Sequence, residues 1–102
     1  MNAQTLKALR GSISKWKRVV NGQEDFGIDD CPLCAEFIYR GCRGCPAGVA
    51  AECCGGHYRK WVLHFKDCHK QVWREIVPGC PECIRLATNV LNYLKGLLPK
   101  KG

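Results

Sequence analysis

Two long stretches of this chain place apolar residues at helical spacing, and a third closes it. Over residues 3–20, Leu6, Leu9, Ile13, Trp16 and Val20 recur three or four positions apart, forming one apolar stripe on a predicted amphipathic helix. Asn21-Gly22 is its stop signal, because both residues tolerate the left-handed conformation that ends helices. From His57 to Ile76, the residues Tyr58, Trp61, Phe65, Cys68, Val72 and Ile76 share one side. Arg59, Lys66, Lys70 and Arg74 fall on the other, which predicts a single divided helix over 57–76. A last amphipathic helix over 84–98 carries Ala87, Val90, Leu91, Leu94 and Leu98 inward and stops at Pro99. No alternating Val/Ile/Thr-rich run supports a substantial sheet.

Between these helices the pattern changes from periodic to cysteine-rich. Residues 31–54 hold six cysteines, with Cys-x-x-Cys pairs at Cys31/Cys34 and Cys42/Cys45 followed by Cys53-Cys54, and a third pair stands at Cys80/Cys83. Two thiolates on one tight turn grip a metal ion from one side, so paired knuckles are the sequence form of a tetrahedral sulfur site. The fold class that follows is a small, mainly α, metal-organised single domain over 1–102, with about three amphipathic helices joined by Cys-x-x-Cys knuckles. A core this small is marginal alone, and metal ligation gained only in the folded state supplies the difference. Short helical pieces fit at 35–40 and 47–54, and the polar, acidic stretch 23–30 reads as a solvated loop.

The predicted ligands fall into two sets. Cys31, Cys34, Cys42 and Cys45 form the first, with Cys53 or Cys54 as competitors; His64, Cys68, Cys80 and Cys83 form the second. His64 and Cys68 share a helix face four residues apart. If that helix runs regularly to Ile76, however, Cys68 lies about 12 Å back along the axis. Either the helix ends sooner or Cys80/Cys83 join the first set. Zinc is the favoured ion, because knuckles mixed with histidine suit a borderline metal. The alternative is a [4Fe–4S] cluster on Cys34, Cys42, Cys45 and Cys53, whose spacing is similar in outline to the cluster loop of certain DNA glycosylases.

Charge and composition narrow the setting. Nine cysteines are an odd number with metal spacing, no secretory leader precedes them, and no apolar run is long enough for a bilayer, so the expectation is a reducing, cytoplasmic location without a membrane. The net charge of +7 is distributed as +5 over 1–22, −5 over 23–39, +5 over 40–74 and +2 over 75–102. Basic surface together with Trp16, Trp61 and Trp73 favours DNA or RNA as partner through Lys7, Arg10, Lys17, Arg18, Arg59, Lys66, Lys70 and Arg74, with Trp73, at the boundary of its helix faces, as a candidate stacking residue. A host protein docking on a helix face or on the acidic loop is the competing partner. The sequence shows no His-Asn-His arrangement or paired carboxylate beside a histidine, and no strand–helix setting for a redox Cys-x-x-Cys, so no catalytic residues are assigned.

These residues also carry a resemblance. Lys15-Trp16, CPLC with Phe37, Cys42-x-Gly44-Cys45-Pro46, Cys53, Tyr58-x-x-Trp61, Cys80-Pro81-x-Cys83-x-x-Leu86-Ala87 and Leu97-Leu98-Pro99 together resemble a group of small, uncharacterised cysteine-rich proteins of phages and prokaryotes. The resemblance implies a phage-like or prokaryotic intracellular setting and a metal centre.

Overall fold

The computed structural model describes residues 3–26, 30–37, 45–46 and 56–98. Cys42, Cys53 and Cys54, and the short helix expected over 47–54, lie outside these residues.

Helix α1 spans Ala3–Val20 and buries Ala8, Leu9, Ser12, Ile13, Trp16 and Val19, which follow the expected three-and-four spacing. Its end is a Schellman motif: Gly22 adopts φ 107°, the Gln23 amide donates to Arg18 O at 3.0 Å, and the Gly22 amide donates to Val19 O at 3.0 Å. Short helix α2, Pro32–Phe37, starts on a proline whose missing amide costs nothing at the first helical position. α2 presses on α1 where a Cβ at Gly11 would sit 2.8 Å from Pro32 Cγ. The Ser12 hydroxyl caps the contact, accepting from the Leu33 amide at 3.2 Å.

Helix α3 spans His57–His64 and passes into a π-helical turn at Phe65–His69. The helix predicted over 57–76 therefore stops at His69, where Lys70 turns into the left-handed region at φ 54°. Two of its predicted inward residues change place accordingly: Val72 is 88% exposed, and Cys68 is exposed. The pull that ends the helix comes from outside it. An isolated antiparallel bridge pairs Asp25 with Arg74, the Asp25 amide donating to Arg74 O at 2.7 Å, and a helix continuing past Lys70 could not reach it.

Gly79 at φ 84° turns the chain into α4, Pro81–Gly96, which starts three residues before the predicted 84 so that Cys83 belongs to its first turn. Cys83, Leu86, Ala87, Val90, Leu91 and Leu94 make its buried face. α4 packs against α1 and α3, and α2 against α1. Trp16 and Trp61 meet edge-to-face at 5.6 Å and Trp61 and Phe65 at 4.6 Å, placing an aromatic cluster where α1 and α3 meet.

Among its described residues, the acidic stretch departs from the solvated-loop expectation at Asp25 and Asp30. Asp25 is only 2% exposed. Its Oδ1 pairs with Lys15 Nζ at 2.7 Å, while Oδ2 accepts from Tyr58 Oη at 3.0 Å, Trp61 Nε1 at 3.0 Å and Arg74 Nε at 2.9 Å. Lys15 is equally buried and reaches Asp30 at 2.8 Å as well. Burial pushes the Lys15 ammonium pKa down, but the Asp25 charge and the carboxylate hydrogen bonds outweigh it and leave the pKa raised. One carboxylate thus ties α1, α3 and the 70–77 segment together.

Candidate metal centre

The π-helical turn determines which side chains meet. On an α-helix, positions four apart share a face, which is the geometry that puts His64 with Cys68. In a π-turn each backbone bond spans five residues, so the side chain that comes round to His64 is His69. The two Nε2 atoms lie 3.1 Å apart, and Cys68 points to solvent. The ligand set predicted around His64 is accordingly changed in one member, with His69 standing where Cys68 was expected.

The other half comes from the start of α4. Cys80 is its N-cap residue and Cys83 lies on its first turn, after Pro81 at the first helical position. Both sulfurs sit at the N-terminal end of α4. Cys83 Sγ lies 3.4 Å from His64 Nε2 and 3.4 Å from His69 Nε2, and Cys80 Sγ lies 3.5 Å from His64 Nε2. All four donor atoms fall within 4.8 Å of one another. A tetrahedral ion with nitrogen at ~2.0–2.1 Å and sulfur at ~2.3 Å holds its donors roughly 3.3–3.8 Å apart; the three sulfur–nitrogen separations of 3.4–3.5 Å match that range, and the group as a whole could close on one ion with small shifts.

Burial and then the neighbouring His69 lower the pKa of His64, keeping its imidazole neutral with a lone pair to donate. Burial raises the Cys83 thiol, and a divalent charge reverses that effect by favouring the thiolate. With four protein donors and no open position, the arrangement suits a structural ion rather than a catalytic one. Among the described residues it is the one group in which three or more candidate ligands converge.

In the first predicted set, Cys31, Cys34 and Cys45 are half-buried, whereas Cys42 and Cys53 lie outside the described residues. Cys31 precedes α2 as Cys80 precedes α4. A hydrogen bond from Cys34, aided by the Cys34 amide, the Lys15 charge and Ser12, lowers the Cys31 thiol to about 6 against the opposing effect of burial. Cys31 Sγ lies 3.7 Å from Ser12 Oγ.

The predicted nucleic-acid residues separate into two groups. Lys7, Arg10, Lys17 and Arg18 are all exposed on the outer side of α1, away from its buried stripe. Arg59, Lys66 and Lys70 are exposed around α3 and its π-turn, but the single basic face expected there does not form, because the helix ends first. Arg74 leaves that set: its guanidinium is bound to Asp25 and donates to Tyr58 Oη at 3.2 Å.

His69 escaped the periodicity reading, yet the chain carried a signal for it. His64-x4-His69 followed by Cys80-x2-Cys83 has the spacing of a Cys2His2 zinc site written histidines first. No protein-family model matches the chain, and no curated protein or solved structure does either. Among the described residues, no helix is long and apolar enough to cross a membrane.

Proposed function

We propose that this chain is a zinc-organised binding module whose partner is nucleic acid, held by the basic outer face of α1. The observation that carries the reading is the convergence of His64, His69, Cys80 and Cys83 within 4.8 Å, from two elements with no other reason to present four soft and borderline donors to one point. Neutral imidazoles and thiolates at this spacing suit zinc, which needs no redox partner and stabilises a core of this size directly. A reducing compartment keeps such thiols available.

The partner reading rests on α1. Lys7, Arg10, Lys17 and Arg18 recur along one exposed side, and the helix contains no acidic residue. A row of cations without anions on one helix is opposite in sign to a phosphate backbone and releases counterions on contact. The test is retention of the zinc-loaded protein on an immobilised oligonucleotide over a salt series, beside a Lys7→Glu/Arg10→Glu/Lys17→Glu variant. The expected result is retention that weakens steeply with salt and is lost in the variant, with zinc content and melting unchanged. Absence of salt-sensitive retention by the parent contradicts the nucleic-acid assignment.

A further inference from the structure

The Asp25–Arg74 bridge displays an aromatic pair on the surface. Asp25 and Arg74 turn inward to Lys15, Tyr58 and Trp61; their chain neighbours Phe26 and Trp73, opposite one another in an antiparallel register, are 53% and 52% exposed. Val72 next to them is 88% exposed. Three large apolar side chains exposed around one bridge are costly to leave in water unless something covers them. The turn is also braced: Gln71 Nε2 donates to Trp73 O at 3.0 Å, and the Gln71 amide donates to Phe65 O at 3.2 Å.

The surrounding charge indicates the occupant. Lys66 lines a shallow cleft with Gln71 and Val72, and Lys70 is exposed at the start of the turn. Glu24 and Glu75 lie along the far side of the bridge, whereas Lys66 and Lys70, with the exposed Asp67 between them in the chain, leave a net positive charge at the other end. Flat aromatic faces beside a one-sided pair of ammonium groups form the combination that binds unpaired bases and their phosphates. Duplex bases are already stacked and cannot use the rings.

We infer that Trp73 and Phe26, with Lys66 and Lys70, form a stacking platform for single-stranded nucleic acid. The inference rests on the nucleic-acid reading above and adds the strand state of the ligand. Because the turn runs between His69 and Cys80, both in the candidate zinc site, and is pinned midway by Arg74 to Asp25, the platform is fixed from both ends and from its middle.

The test uses the zinc-loaded parent with a single-stranded oligonucleotide and its duplex, read by salt-dependent affinity and by tryptophan fluorescence. Trp16 and Trp61 are 2% and 0% exposed, so bases that stack on this protein reach Trp73. The expected result is tighter binding of the single strand with quenching of the exposed tryptophan. Trp73→Ala should cost about tenfold or more in single-strand affinity, leaving duplex binding, zinc content and melting unchanged. Equal affinity for both forms without quenching, while the α1 variant still loses binding, overturns the platform and leaves the α1 face standing. If neither oligonucleotide binds, both readings fall and the exposed turn is a protein-docking surface.

Discussion

Among the described residues, Asp25 gathers side chains from α1, α3 and the 70–77 segment. Its carboxylate faces the buried Lys15 ammonium, the Arg74 guanidinium, the Tyr58 hydroxyl and the Trp61 indole, and its side chain is fully buried. Removing one partner of a buried pair leaves the other charge uncompensated, which costs more than the pair contributes. Asp25→Asn should therefore lower unfolding free energy by about 3–5 kcal/mol in urea titrations; a loss under about 1 kcal/mol would place the carboxylate in solvent. Gly11 makes a separate case. Alanine is better in a helix interior by about 1 kcal/mol, but here its Cβ would meet a proline ring at 2.8 Å. Gly11→Ala should thus destabilise, and Gly11→Ala combined with Pro32→Ala should recover part of the loss. Neither residue's role is readable from the sequence, because each is set by a partner distant along the chain: Arg74 lies 49 residues beyond Asp25, and Pro32 lies on another helix.

Among the elements, α1 was legible to its boundaries. Its stripe, its strong helix formers and its Asn21-Gly22 stop are all local, and the Schellman motif forms where they predict it. The helix from His57 was legible in kind but not in length. Between His69 and Ile76 no glycine or proline breaks the period, and the break comes from the bridge to Asp25 and the bonding change of the π-turn. Periodicity tuned to the α-helix selects Cys68 over His69 for the same reason. Lys70 gives a direct check of where the helix ends. At φ 54° a lysine is strained and glycine is not, so Lys70→Gly should leave stability unchanged or raised in thermal melts. In a helix continuing to Ile76, the same change would cost about 1 kcal/mol.

For the whole molecule, the account is that zinc joins the end of α3 to the start of α4 and so closes the core around Trp16, Trp61 and Phe65. A chelator should then remove cooperative unfolding together with the metal, and readdition of zinc should restore both, followed by near-ultraviolet circular dichroism of the buried tryptophans. Cys80/Cys83 was legible as a metal-ligand pattern from its spacing, and its grouping with His64 was one of the two arrangements the spacing left open. The fourth ligand needed the backbone. The measurement that tests this most directly is zinc content per chain in His69→Ala and Cys68→Ser beside the parent, purified identically. The account predicts that His69→Ala loses one zinc relative to the parent while Cys68→Ser keeps the parent's full content. Loss of zinc from Cys68→Ser with full retention in His69→Ala would contradict it.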